Sequence, residues 1–403
     1  MLGLTGSWVS LSLLWLLGAL TGADPAGYRR KVSLDYNPGL NSSSVNLLHI
    51  RAVGQNDTLH YVWSTIGAPT VLLVHTASGS SALRVNWTKL LSPSPSGAIR
   101  VEPAHSILYS KAVVFTKVFE FNGTNSSDLS KAREGHFYPT YDLANFTWDS
   151  LDSTMNETTL TATFRGVGSD PQGTFRNGSL SFRVTAYEES RRDDPLPRLL
   201  HTANSSKVEF ILHKVSPRGN HSRFALEILT VEEGGRQQRL ESIRSIDDEY
   251  TPTIFEMAQL VSIPLNHSPG SSFLQWKTAA YSSWDAKRED TVHCQYYPLQ
   301  TENRTVPQSS IAHAYFDELR SGHGVAAINI SFGSEDQEAY EEKGYIRWSA
   351  LIGFGKPPQE MFSPLVIAIL AVALGTPVVL LVGGSVAALL KRTKQSSEYE
   401  PIN

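Results

Sequence analysis

The chain contains 403 residues with a mass of 44.4 kDa, and 41% of these residues are hydrophobic and 18% charged. This composition excludes a disordered polar chain and a polytopic membrane protein. A formal net charge of -4 without a dense Lys/Arg patch argues against nucleic-acid binding. The single cysteine, Cys294, excludes an intramolecular disulfide.

The first 25 residues are predicted to form a cleavable signal peptide. Residues Leu11–Leu20 are apolar, and small residues at positions 22 and 23 precede Asp24 and Pro25. No Lys or Arg occurs before Arg29, so an uncleaved membrane anchor is the alternative. Either reading places the following residues on the luminal side.

The luminal region is predicted to be all-β, because Val, Ile, Phe, Tyr, Trp and Thr concentrate in short runs between turn residues. In 179–187, Leu180, Phe182, Val184 and Ala186 are expected to face inward. The stretches 169–173 and 216–222 resemble hairpin loops. The predicted strands are Leu59–Ile66, Thr70–His75, Ala112–Phe121, Thr158–Arg165, Ser179–Tyr187, Lys207–Lys214, Arg223–Val231, Ser272–Tyr281, Ala326–Phe332 and Tyr345–Ile352.

A luminal region of this length predicts two sandwich-like β units, since single cores rarely exceed about 250 to 300 residues. We expect the first unit over residues 26–150 and the second over residues 151–355. The boundary is placed in the polar stretch Trp148–Asn156, with Arg191–Pro197 as the second choice.

N-glycosylation sequons are spread over the whole luminal region, and chance would place only about three of its asparagines in such sequons. An occupied sequon lies at the surface, so the pattern predicts a glycan coat that hinders proteases. This coat suits a reducing, protease-rich compartment, where disulfides protect poorly. The thirteen sequons begin at Asn41, Asn56, Asn86, Asn122, Asn125, Asn145, Asn156, Asn177, Asn204, Asn220, Asn266, Asn303 and Asn329.

The sequence offers no recognisable active site. It contains no G-x-S-x-G elbow, H-E-x-x-H, P-loop or paired cysteine ligands, so we predict a non-enzymatic protein without cofactor or metal. His293 and Cys294 are adjacent, and neighbouring residues of a strand point to opposite faces, which favours a buried structural thiol over a nucleophile. An intermolecular disulfide through Cys294 is the remaining alternative.

Residues 356–363 are predicted to form a stalk, and residues 364–390 a transmembrane helix. No charged side chain occurs from Met361 to Leu390. The positive charges of Lys391, Arg392 and Lys394 then place the C-terminus in the cytosol, which gives a type I single-pass topology.

This helix carries small residues at intervals of four along its sequence. Ala371, Gly375, Gly383 and Ala387 form a ridge that another helix could approach closely. Small residues are common in membrane spans, so an ordinary lipid-facing helix is the alternative.

The cytosolic tail, residues 391–403, ends with a Y-x-x-Φ pattern formed by Tyr399 and Ile402. This pattern resembles the tyrosine sorting signals of lysosomal membrane proteins, which clathrin adaptor subunits bind as extended peptides. We expect Tyr399→Ala to leave the protein on the cell surface. If surface labelling shows that the variant still accumulates in lysosomes as the unmodified protein does, Tyr399 is not part of a sorting signal.

The signal peptide, sequons, lone cysteine, late span and YEPIN terminus together resemble the glycosylated lysosomal membrane protein family over the full length. The resemblance implies an accessory subunit of a lysosomal major-facilitator transporter for small peptides, which it protects from luminal proteolysis. Two other classes stay open. A structural glycoprotein of the limiting membrane shares this topology, but its lysosomal-associated relatives rely on disulfides and a Pro/Ser-rich hinge. A luminal hydrolase or sugar-binding module is the second alternative.

Overall fold

The computed structural model describes residues 28–123, 128–132, 134–169, 173–247, 253–265, 270–317, 322–333, 340, 343–359 and 364–396. The predicted signal peptide (residues 1–25), the sequons at Asn125 and Asn266, and the tail residues Tyr399 and Ile402 lie outside the described residues.

The luminal region is built from strands, in agreement with the predicted all-β class. In chain order they are β1 (Lys31–Tyr36), β2 (Leu47–Val53), β3 (Thr58–Ser64), β4 (Thr70–Thr76), β5 (Ala82–Val85), β6 (Ile99–Glu102), β7 (Ile107–Asn122), β8 (Tyr141–Asp142), β9 (Thr147–Trp148), β10 (Thr161–Val167), β11 (Ser179–Ala186), β12 (Arg191–Arg192), β13 (Leu200–His201), β14 (Ser205–His213), β15 (Ser222–Glu233), β16 (Arg236–Asp247), β17 (Thr253–Pro264), β18 (Ser272–Lys277), β19 (Ala279–Tyr281), β20 (Thr291–Tyr296), β21 (His323–Phe332) and β22 (Tyr345–Phe354).

Three α-helices accompany the strands in the described part of the chain. Helix α1 spans Trp87–Leu90, α2 spans Ile311–Phe316, and α3 spans Pro364–Ser396. Ser310 caps the N-terminus of α2, and its Oγ accepts a hydrogen bond from the backbone N–H of His313. The sequence contained no helical periodicity to predict α2, because six residues are too few to show one.

Most of the strands form two large antiparallel sheets, and β5–β6 and β12–β13 form separate two-stranded pairs. The first sheet has the spatial order β1-β2-β3-β4-β7-β15-β21-β20. The second has the order β9-β10-β11-β14-β22-β18-β17. Strand β14 belongs to the second sheet and β15 to the first, so residues 216–222 connect the sheets and are not the predicted hairpin loop. Strands β10 and β11 pair directly, and residues 170–172 of the predicted loop 169–173 lie outside the described residues.

A bulge joins the two sheets along β22. Gln275 of β18 pairs with Leu351, whereas Ala280 of β19 pairs with Trp348. Four residues, 276–279, therefore lie opposite two residues of β22, which bends the strand. Beyond the bulge, Ala280 also pairs with Val292 of β20, so β19 belongs to both sheets.

The main core fills the space between the sheets. It includes Phe115 and Ile330 from the first sheet and Phe182, Trp276 and Trp348 from the second. The inward-facing set predicted for β11, namely Leu180, Phe182, Val184 and Ala186, is confirmed in this core.

A second core lies on the outer face of the first sheet. Leu72 of β4 and Val114 of β7 pack there with Ile311 and Phe316 of α2. The β5–β6 hairpin adds Ile99 and other apolar side chains. Central strands such as β15 are therefore buried on both faces, which explains their nearly continuous apolar sequence.

The arrangement differs from the expected division of the luminal region near residue 150. Contacts group the described residues of Met1–Ile243 and Glu256–Pro358 into one compact unit. Strand β7 pairs with β15, and β9 pairs with β10 across the expected boundary. The stretch 148–156 is a connection within one sandwich that buries Leu151 in the main core, and the α2 layer lets a single body hold all these strands.

A second unit consists of Arg244–Phe255 and Gln359–Asn403 and contains the apolar helix α3. Within this helix, Ala371–Arg392 is long and apolar enough to cross a membrane. These 22 residues rise about 33 Å, close to the roughly 30 Å thickness of a hydrocarbon core. Pro377 lies inside the helix, which continues past the predicted end at residue 390.

Candidate functional site

Most described sequon asparagines lie on the surface of the β body. Eight of them are exposed, namely Asn41, Asn56, Asn86, Asn145, Asn156, Asn177, Asn220 and Asn303. All eight lie in connections between strands, where polar turn residues leave the sheet pairing. The sequence prediction that these positions reach the surface therefore agrees with their placement, while their glycan occupancy stays a prediction.

Local turns hold several of these asparagines. Asn86 precedes α1, and its Oδ1 accepts a hydrogen bond from the backbone N–H of Lys89 at 3.0 Å. Asn156 Oδ1 accepts from the N–H groups of Thr158 and Thr159 at 2.9 and 3.0 Å. In both turns the oxygen is used locally, so the amide nitrogen that would carry a glycan is the free end of the side chain.

Three described sequon asparagines are half-buried, which the sequence did not indicate. Asn122 ends β7, and Asn204 precedes β14. Asn329 lies inside β21, opposite Glu227 of β15. These asparagines are half-buried because of where their strands lie in the sheets and what packs over them. A sequon pattern contains no information about that packing.

Asn204 belongs to a charged network that sequence analysis missed. Arg30 is buried; its Nε donates to Asn204 Oδ1 at 2.7 Å, and its Nη2 lies 2.6 Å from Asp57 Oδ2. Burial alone would raise the pKa of Asp57, but hydrogen bonds from His75 and Arg30 outweigh it and hold this pKa well below its ordinary value. The network links the residue before β1 to the turn between β2 and β3 and to the connection before β14.

A second network has the order of a nucleophile, a base and an orienting group. Ser81 Oγ lies 2.8 Å from His60 Nε2, and His60 Nδ1 lies 2.9 Å from His49 Nε2. Burial lowers the pKa of His49 to about 4, and burial and His49 lower that of His60 to about 3. Ser81 has an exposed fraction of 0%, so no substrate reaches its oxygen. The chain of hydrogen bonds is therefore a structural element of β2, β3 and the turn before β5.

Cys294 is a buried thiol, as predicted. Its exposed fraction is 1%, whereas His293 points outward and is exposed. Burial raises the pKa of the Cys294 thiol well above its ordinary value, so the nucleophilic thiolate is suppressed. The same burial excludes the intermolecular disulfide for the folded body.

A cleft of about 300 Å³ opens between the ends of β15, β20, β21 and β22. Its described lining includes Arg223, Glu289, Tyr340 and Lys343. Glu289 is the single carboxylate among those lining residues, whereas most glycosidases use two. Among the described residues, no three His, Cys, Asp or Glu side chains converge as a metal site would require.

The four ridge residues follow one row along α3 that winds about 160° around the helix from Ala371 to Ala387. Ala371, Gly383 and Ala387 are exposed, and Gly375 is half-exposed. Almost every described position of 371–392 is exposed, so contact of the ridge with a neighbouring helix stays a prediction.

Comparison with known proteins agrees with these features. The family model described as "Glycosylated lysosomal membrane protein" matches residues 46–395. Glycosylated lysosomal membrane protein A of Xenopus laevis is 52% identical over 407 residues, covering 100% of both chains. The similarly named protein of Danio rerio is 43% identical and covers 97% of both chains. That of Homo sapiens is 44% identical over 97% of this chain and 95% of its own. The chain therefore belongs to the glycosylated lysosomal membrane protein family.

Proposed function

We propose that this protein is a non-enzymatic accessory subunit of a lysosomal major-facilitator transporter for dipeptides. Its glycosylated luminal body would cover the luminal side of the transporter and protect it from proteolysis. The observation that carries this proposal is one compact β body whose exposed sequons lie in the connections between strands. Such connections are where proteases preferentially cut.

The two charged or polar networks support a scaffold role. The Ser81–His60–His49 chain and the buried Cys294 thiol contain reactive groups, but neither gives them access to a substrate. Ser81 is hydrogen-bonded to His60 in the turn before β5, and Cys294 packs in the main core between the sheets. A shield needs a stable surface of this kind and does not need a catalytic centre.

The membrane helix and the tail supply the other two parts of the proposal. The small residues of the α3 ridge support a close helix–helix contact with the transporter. The tail, with Tyr399 and Ile402, would bind clathrin adaptor subunits and direct the complex to the lysosome. The family membership supports the lysosomal membrane as its site.

Mild-detergent purification of the full-length protein from lysosomal membranes tests this proposal. We expect one polytopic transporter to co-elute at close to one-to-one stoichiometry. Elution alone or as a homo-oligomer, in a detergent shown to preserve other complexes, would contradict the accessory role and favour a structural glycoprotein.

The shielding role has a separate test. In cells that lack this protein, pulse-chase labelling should show a shorter half-life of the co-eluting transporter, and a lysosomal protease inhibitor should restore it. A normal half-life without the inhibitor would show that the transporter needs no shield.

A further inference from the structure

Asn329 occupies a position unlike the other described sequon asparagines. It is an interior residue of β21, which pairs with β15 on one side and with β20 on the other. The backbone N–H of Tyr297 also donates to the Asn329 carbonyl at 3.0 Å. A glycan attached here would start from the middle of a sheet, where no loop can move it away from the protein.

The side chain of Asn329 points to the outer face of the first sheet. Its neighbours Ile328 and Ile330 face the main core between the sheets. Because side chains alternate along a strand, Asn329 shares the opposite face with Ala327 and Ser331. Ala327 packs under the layer formed by α2 and the β5–β6 hairpin, which does not include Asn329.

Polar groups surround the point where Asn329 reaches this face. Glu227, directly opposite on β15, accepts a hydrogen bond from Thr116 at 2.8 Å and lies 3.3 Å from Arg304 Nη1. On the far side, the hydroxyl of Tyr297 lies 2.9 Å from Ser331 Oγ. These carboxylate, guanidinium and hydroxyl groups are the kinds of partner that a sugar can bind by hydrogen bonds.

The two ends of the Asn329 amide are in different environments. Oδ1 is buried and has no hydrogen-bond partner among the described residues, although buried acceptors are usually paired. The residue as a whole is half-exposed, so the remainder of the side chain reaches the surface. A sugar linked to Nδ2 would therefore begin at the protein surface and lie beside a buried acceptor that lacks a donor.

We propose that the Asn329 glycan is a structural group whose first sugars lie on the outer face of the first sheet and complete its cover beyond α2. This inference uses the glycosylation that the proposed function includes, but it is independent of the transporter. The exposed glycans in the strand connections shield the surface, whereas this glycan forms part of the fold.

Native deglycosylation of the full-length membrane glycoprotein tests the proposal. Purified protein is treated with peptide N-glycosidase F without denaturation, and mass spectrometry follows the conversion of each asparagine to aspartate. We expect release at Asn329 to be about tenfold slower than at Asn177, because the sugars that lie against the sheet must detach before the enzyme reaches the linkage. After denaturation, both sites should be released at the same rate.

Two results would overturn the proposal. If Asn329 carries no glycan in the mature protein, the proposal is wrong, while the shielding role of the other sequons is unaffected. Release from native Asn329 as fast as from Asn177 would show a glycan that extends freely into solvent.

A pair of variants adds a stability measurement. Asn329→Gln should lower the melting temperature by roughly 3 °C or more, whereas Asn177→Gln, which removes an exposed glycan, should change it by less than about 1 °C. Equal melting temperatures of the two variants would contradict a structural role. If Asn329→Gln fails to accumulate, the deglycosylation of the unmodified protein still decides the question.

Discussion

At the scale of single residues, Glu120 holds three segments together. Its exposed fraction is 0%, and its carboxylate accepts hydrogen bonds from Tyr141 Oη at 2.7 Å, Ser222 Oγ at 2.6 Å and the backbone N–H of Arg218 at 2.5 Å. These partners come from β8, β15 and the connection before β15. A buried carboxylate is tolerated only when it is paired in this way.

Glu120→Ala should destabilise the protein by about 3 kcal/mol, since it leaves several buried donors without an acceptor. Urea unfolding of the full-length protein in detergent, followed by tryptophan fluorescence, measures this loss. Glu102→Ala is the matched control, because Glu102 forms an exposed pair with Arg84 that should contribute less than about 1 kcal/mol. Equal effects of the two variants would contradict the assigned role of Glu120.

Three buried histidines make stability depend on pH. Burial lowers the pKa of His49 to about 4, that of His60 to about 3 and, against the opposing charge of Asp193, that of His201 to about 4. In the unfolded chain each imidazole titrates near 6.5. The unfolded state therefore binds more protons between about pH 4 and 6.5, and stability falls as the pH decreases through that range.

We expect each of these histidines to contribute about 1 to 2 kcal/mol less at pH 5 than at pH 7. Thermal melts of the full-length glycoprotein at several pH values should show this decrease, and His201→Asn should make the slope shallower. The lowered pKa of Asp57 affects stability only at more acidic pH. The stability that the Asp57 carboxylate contributes is lost only as the pH falls below the range in which carboxyl groups ordinarily titrate. A melting temperature that is constant from pH 7 to 5 would contradict this prediction.

At the scale of elements, the ridge of α3 is the predicted contact with a neighbouring helix. Gly383→Leu should weaken association with a partner roughly tenfold, because a large side chain prevents close approach. Ala388→Leu is the matched control, since that position lies about 100° or more around the helix from every ridge residue. Co-purification yield from membranes measures both variants. Equal loss in the two would indicate a general effect on the helix, and no loss in either would favour luminal contacts.

The strands show how far sequence patterns extend. Each of the ten predicted runs contains a strand of the structure, and the alternation in β11 also predicted which side chains face the core. The run 272–281 is divided into β18 and β19 by the bulge at 276–279. A bulge of this kind depends on the partner strand, so the residues of the run alone do not indicate it.

Pairing partners and covering layers were not predictable in the same way. Strand β7 pairs with β15, about a hundred residues later, and a strand pattern does not specify such a partner. The layer formed by α2 was missed, and with it the reason why one body accommodates all the strands. For the candidate surface, the sequence predicted exposure correctly at the eight connection sequons. It gave no indication of the half-buried Asn204 and Asn329.

At the scale of the whole molecule, the exposed sequons lie in connections between strands along the length of the β body. Removal of the accessible glycans under native conditions should increase the rate of cleavage by a broad-specificity protease several-fold, with new cuts in the connections that carry Asn41, Asn156 and Asn303. Mass spectrometry of the fragment ends identifies these cuts. Mock-treated protein is the control, and unchanged cleavage after deglycosylation would show that the fold alone resists the protease.

The position of β22 sets the order in which the body can be completed. This strand lies in the middle of the second sheet, between β14 and the β18–β19 pair, yet it is the last strand before the membrane helix. During synthesis the second sheet lacks its central strand until about residue 354 has entered the lumen. Every sequon precedes β22 in the chain, so all of them pass the glycosylation machinery before the second sheet can close. Any glycan that is added is therefore in place before the two sheets pack face to face.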